Sequence, residues 1–160
     1  MQVRTLRSVV YLGAGLGVIV SIFAAAETAD ASLRAVCSIN AFLSCSKVDT
    51  SGLTTTLGIP DYLWGIGGFI LIFLVAAIAE ARPRDRRLEY LLCFVTTAGL
   101  ALAAYFVYVE VVLIGALCIV CAASYAMGLV AWSGTVGLLR VPIDDPGRQP
   151  RPRRGTATDG

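Results

Sequence analysis

The chain contains no histidine. That absence removes zinc sites with imidazole ligands, haem attachment through a Cys-x-x-Cys-His run, and every Ser-His or Cys-His nucleophile pair. Charge is scarce too. Only 15% of the 160 residues are Asp, Glu, Lys or Arg, where a soluble domain carries about 25%. A net charge of +2 is too small for the clustered basic face that nucleic acid requires. What is present is apolar: 57% of residues are hydrophobic and the mean hydropathy is +0.76. This is the composition of a membrane protein.

A hydrocarbon core roughly 30 Å thick needs about 20 apolar helical residues to cross it. Val9–Ala26 is free of acids and bases, and so is Tyr62–Ala79, which is entered through Gly58-Ile59-Pro60. From Tyr90 to Leu139 the sole acid or base is Glu110. A single helix of that length would run about 75 Å, so the stretch must fold back. Reading Glu110 as the polar interruption divides it into 90–108 and 112–132. The expected architecture is all-α: a polytopic bundle of four transmembrane helices at 9–26, 62–79, 90–108 and 112–132. A cysteine-bearing loop at 27–59 completes a membrane domain over 1–139, followed by a disordered cytoplasmic tail over 140–160, rich in Pro, Arg and Gly.

Basic residues set the orientation. Of 13, all but Arg34 and Lys47 precede the first span, lie between the second and third, or follow the fourth. Both termini are therefore expected in the cytoplasm, with loop 27–59 outside. Arg4, Arg7, an apolar run and Ala24-Ala25-Ala26 also fit a cleaved secretory signal, but the run exceeds the usual 7–15 residues, and retention is expected. With a single lysine, the composition suggests a bacterial chain and hence a plasma (inner) membrane.

Five cysteines occur, at 37, 45, 93, 118 and 121. On this topology Cys37 and Cys45 lie in the outer loop, and Cys118-Ile119-Val120-Cys121 lies near the outer end of the fourth span. That is the side where disulfides persist in a cell envelope or secretory membrane. Cys93 sits toward the cytoplasmic side and reads as a packing residue. Cys118 and Cys121, three apart, share a helix face. Cys37 and Cys45 would be about 12 Å apart along a continuous helix, beyond the roughly 7 Å a disulfide tolerates, so any bond between them requires a break in 38–44. An outer pair and a span pair suggest a relay in which thiolate attack on a disulfide passes two electrons onward. Taken singly, the loop pair also fits a plain structural disulfide. No metal is expected, because no further ligands accompany the Cys-x-x-Cys.

Several polar residues have two readings. Tyr125, four residues after Cys121, shares its helix face and offers a hydroxyl, or packs at the interface. Ser51, followed by Gly52, fits a turn. Glu110 reads as a wet residue in the short outer turn, with a functional intramembrane acid as the alternative. Asp61 reads as a cap favoured by the helix dipole.

This pattern resembles the vitamin K epoxide reductase family. The resemblance is carried by Cys37 and Cys45 with seven residues between them, Val48, Ser51, Gly58-Ile59-Pro60, Glu110, Cys118-Ile119-Val120-Cys121 and Tyr125. It implies a four-helix bundle around a membrane-embedded quinone of menaquinone, ubiquinone or phylloquinone type. It implies that Cys37 and Cys45 exchange with a separate extracytoplasmic thioredoxin-like partner, that Cys45 communicates with Cys118, and that Cys121 lies against the quinone. Ser51 and Tyr125 match positions near the quinone. Animal members carry an asparagine in the second span that Tyr62–Ala79 lacks, a departure that bears on epoxide reduction rather than quinone reduction.

The expected function is a membrane thiol oxidase that takes electrons from the partner and gives them to the quinone, supporting disulfide formation. One alternative is a quinone or vitamin K epoxide reductase whose product is the reduced quinone. Another is a non-enzymatic four-span scaffold with a structural loop disulfide.

Overall fold

The computed structural model describes residues 2–53, 55–83 and 85–141. Four helices are long and apolar enough to cross a membrane: α1 (Gln2–Ala29), α4 (Asp61–Ala81), α5 (Arg86–Tyr108) continued by a π-helical turn (Val109–Ile114), and α6 (Ile119–Arg140). Between α1 and α4 lie two short helices, α2 (Ala31–Cys37) and α3 (Cys45–Asp49), and a minimal hairpin of β1 (Thr55–Thr56) and β2 (Ile59–Pro60). The hairpin is antiparallel and pairs Thr56 with Ile59. Its two turn residues, Leu57 and Gly58, both have positive φ (56° and 79°), as a tight two-residue turn requires.

α1 packs against α4 and α6, and α5 closes the bundle against the same two helices. Small residues let α1 and α6 approach closely. A Cβ on Gly13 would fall 2.7 Å from the Ala131 backbone nitrogen, and one on Gly134 would fall 3.0 Å from the Leu6 carbonyl oxygen. Such small-residue contacts suit a bilayer, where helices associate by packing because lipid already solvates apolar side chains. Val10, Ala14, Phe69, Ile72, Leu92, Ala131 and Leu138 form the core at this level. Leu12, Ile19, Leu74 and Phe94 face outward, toward the hydrocarbon. Asp85 caps α5 through Arg87 N–H at 3.1 Å, and Arg86 donates to the Leu139 and Val141 carbonyls at 2.8 and 3.3 Å. These bonds close the arginine-rich end of the bundle.

The fold is the all-α four-helix bundle expected, with the span boundaries moved. The third long helix does not stop near Glu110, and the fourth does not begin at Val112. Val112–Ile114 belong to the π turn, which ends at Gly115 in the left-handed conformation (φ 68°). The fourth helix starts at Ile119. Glu110 does not break the helix because its carboxylate finds partners inside the bundle, so it needs no water. The first and fourth helices also extend beyond the expected spans, to Gln2 and Arg140. Of the expected tail 140–160, Arg140 ends α6, and residues 142–160 lie outside the described residues.

One seam positions the loop. Leu43 and Leu117 form a parallel bridge, with Leu117 N–H donating to the Phe42 carbonyl (2.7 Å) and Ser44 N–H to the Leu117 carbonyl (3.2 Å). Asp30 caps α2 and Ser44 caps α3. These bonds dock the residue before Cys45 beside the residue before Cys118.

Candidate redox site

α2 ends at Cys37 and α3 begins at Cys45, so the helix break required between these cysteines is present. Cys118 is the N-cap of α6, with its sulfur accepting from Cys121 N–H at 3.3 Å. The seam then brings Cys45 and Cys118 together, 73 residues apart in sequence, with sulfurs 3.2 Å apart. Cys45 also touches the Cys37 carbonyl at 3.6 Å. Cys45 is 0% exposed, Cys118 2% and Cys37 6%. They share an apolar cluster with Val48, Ala116 and Val120, against which Cys121 packs. All five cysteines are free thiols in this structure, and Cys93 lies in α5 toward the arginine-rich end.

Three acids surround this cluster, and each faces a different part of it. Glu27, near the end of α1, is 2% exposed and accepts a hydrogen bond from the Cys37 thiol. Glu110 is 0% exposed. It accepts from Cys118 N–H at 2.9 Å and from the Tyr125 hydroxyl at 2.7 Å. Asp61, the first residue of α4, accepts from Tyr62 N–H through one oxygen (2.7 Å) and meets the Cys121 thiol with the other (3.8 Å). The wet-turn reading of Glu110 is therefore overturned, and Asp61 is more than a cap. Glu27 was missed altogether; the available signal was an acid placed directly after an apolar run that ends at the cysteine loop.

The three thiols outside the long helices differ in acidity. Burial pushes Cys37 up to about 11, reinforced by its bond to Glu27. Burial likewise raises Cys45, followed by its contact with Cys118. Cys118 is lowered, chiefly by the hydrogen bond from the Cys121 side chain. Cys118 is thus the more acidic thiol, and the better leaving group, of the touching pair.

Below Cys121 the bundle encloses a cavity that opens onto about 770 Å³ of empty space. Its walls are apolar (Phe69, Ile72, Leu100 and Phe106 among them), with Asp61, Cys121 and Tyr125 at one end. Ser21 also lines it; its hydroxyl is buried and has no hydrogen-bond partner among the described residues. A few polar groups in a largely apolar pocket is the usual make-up of a small-molecule site.

The family profile described as Vitamin K epoxide reductase family matches residues 8–135. The chain belongs to that family. It is a multi-pass membrane oxidoreductase whose redox chemistry involves cysteines. A comparison with curated proteins finds no match.

Within this member of the vitamin K epoxide reductase family, Cys37, Cys45, Cys118, Cys121 and Tyr125 converge on one end of the bundle. Of these, Cys121 and Tyr125 line the cavity, and Ser51 does not. Its hydroxyl donates to the Val48 carbonyl at 2.7 Å and accepts from Leu53 N–H at 3.2 Å, which holds the turn before Gly52 (φ 70°). The ligand atoms of Glu27, Cys37 and Cys45 lie within 4.8 Å of one another.

Proposed function

We propose that the chain is a membrane thiol oxidase that takes electrons from a thioredoxin-like partner outside the cytoplasm and delivers them to a quinone. The single observation that carries this reading is the 3.2 Å contact between Cys45 and Cys118, which links the loop pair to the pair beside the cavity. In the proposed cycle a partner thiolate attacks the Cys37–Cys45 disulfide. The partner's second thiol resolves the mixed bond, so the partner leaves oxidised and the loop pair reduced. Cys45 then attacks Cys118 of the Cys118–Cys121 disulfide, releasing Cys121. Cys37 attacks Cys45, re-forms the loop disulfide and releases Cys118. The reduced Cys118–Cys121 pair gives two electrons to the quinone and closes again.

Acidity supports this direction. The Cys45–Cys118 bond can be resolved at either sulfur, and the thiol of lower pKa leaves faster. Cys118 is lowered and Cys45 raised, so resolution by Cys37 is favoured and electrons move inward. The cavity suits a flat apolar ring with its carbonyl oxygens near Tyr125 and Asp61. The arginine-rich end is assigned to the cytoplasm by the distribution of basic residues, which puts the cysteine end outside, where the partner is.

The test is quinone reduction by the purified protein in lipid vesicles, supplied with a reduced thioredoxin-like protein. Turnover is expected from the parent and should fall to background in Cys118→Ala and Cys121→Ala. Parent-like turnover in both variants would mean that these thiols are packing residues and that the relay does not exist.

A further inference from the structure

Reducing a quinone to a hydroquinone takes two protons as well as two electrons, and thiols that ionise to react must put their protons somewhere. The buried cysteine end offers very few acceptors. Cys121 lies beside two of them: the Asp61 carboxylate 3.8 Å from its sulfur, and the Glu110 carboxylate, which interacts electrostatically with the same thiol. Asp61 lines the cavity itself. Glu110 reaches the cavity through Tyr125, whose hydroxyl is 2.7 Å from its carboxylate. Glu110 is held firmly. It sits in the π turn, its backbone carbonyl accepts from Ala116 N–H at 3.0 Å, and its side chain accepts from Cys118 N–H. π turns are rare and recur at functional sites. A fully buried carboxylate at membrane depth is costly, which makes it a functional candidate by default.

We propose that Asp61 and Glu110 carry the protons of quinone reduction, with Tyr125 as the link between Glu110 and the quinone. This deepens the thiol-oxidase reading and rests on it. As the Cys118–Cys121 bond forms, the pair sheds two protons on the Cys121 side, one to Asp61 and one to Glu110, and its electron pair passes to the quinone. Asp61 then protonates one quinone oxygen. Tyr125 protonates the other and is reprotonated by Glu110. Dithiol and quinone become disulfide and hydroquinone, both carboxylates return to their starting state, and no proton is drawn from water on either side. The groups facing this path are Cys118, Cys121 and Tyr125 from the turn and α6, Asp61 from α4, and Asp49 from α3, which adds negative charge near Asp61.

The experiment compares Glu110→Gln, Glu110→Asp and Asp61→Asn with the parent in vesicles, using dithiothreitol as electron donor and a short-chain ubiquinone analogue as acceptor. Gln keeps an oxygen to accept from Cys118 N–H and turns its amide N–H toward the Tyr125 hydroxyl oxygen, which can accept it, but it cannot take a proton. Loss of a proton-transferring group costs about a hundredfold in rate or more. Glu110→Gln and Asp61→Asn should therefore each lower kcat by about a hundredfold with little change in quinone KM, and Glu110→Asp should restore much of it. The kcat–pH profile of Glu110→Gln should lose the parent's dependence on a carboxyl. Parent-like kcat and pH profile in Glu110→Gln would overturn the proposal while leaving the relay intact. If Glu110→Gln no longer forms a Cys45–Cys118 bond, it is misassembled, and Asp61→Asn decides: parent-like kcat there also overturns it. A parent that reduces no quinone with any thiol donor removes the thiol-oxidase reading itself, and the proton path with it.

Discussion

Replacing Glu27 with Gln should make Cys37 more acidic, and the structure bounds the effect. The Cys37 thiol is raised from the ordinary 9.0 to about 11, by burial first and by its bond to Glu27 second. That displacement leaves roughly a hundredfold less thiolate at neutral pH than an ordinary cysteine holds. Burial survives the substitution, because Cys37 stays packed among Cys45, Val48 and Ala116. The recoverable part is therefore the smaller one, about three- to tenfold more thiolate, or up to about one pH unit. The sign follows from the charge: a neighbouring carboxylate disfavours a second anion, so removing it lowers the thiol's pKa. The assay is the pH dependence of alkylation of the fully reduced protein, with Cys37 resolved by peptide mass mapping. In the parent its reactivity should climb with pH toward about 11, and in Glu27→Gln the whole profile should move to lower pH. The midpoint, rather than the absolute rate, is diagnostic, since access to a buried sulfur scales every point alike. A midpoint that stays put or moves upward in the variant would refute the reasoning.

Three other outcomes are expected. Leu117→Pro removes the N–H that bonds the Phe42 carbonyl at 2.7 Å, so the loop should undock and the rate of exchange between Cys45 and Cys118 should fall at least tenfold, read by quenched alkylation. Gly68→Leu adds bulk to the cavity wall at a position where a Cβ meets nothing within 4 Å; quinone KM should rise several-fold while Cys45–Cys118 exchange continues at the parent rate. Gly13→Leu drives a side chain into the Ala131 backbone, and overpacking of this kind costs about 1–3 kcal/mol, seen as a lower thermal midpoint in detergent.

The four spans were legible because apolar length is a local property that any bilayer-crossing helix must display. A break between Cys37 and Cys45 was legible only as the condition for their bonding, since eight residues of continuous helix keep two sulfurs too far apart. Glu110 was not. A lone acid in an apolar run fits a wet turn or a buried site equally well, and its partners, Cys118 N–H and Tyr125, become neighbours only once the helices pack. The better stop signal was Gly115, since glycine readily takes the left-handed conformation that ends a helix. Asp61 was recognised as a helix-start acid, but its second oxygen faces Cys121 across the bundle, a contact 60 residues away. Glu27 faces Cys37 only because α2 folds back after Asp30. Ser51 shows the converse: its Ser-Gly context pointed to a turn, and a turn is what its hydroxyl holds.

The central claim is that the loop pair and the helix pair meet through Cys45 and Cys118. The most direct measurement removes their alternatives, in a Cys37→Ser, Cys121→Ser double variant, and maps the disulfides after mild oxidation in the membrane. A Cys45–Cys118 linked peptide, formed rapidly and in high yield, is the expected result. Two thiols that remain alkylatable as separate peptides after the same oxidation would contradict the account.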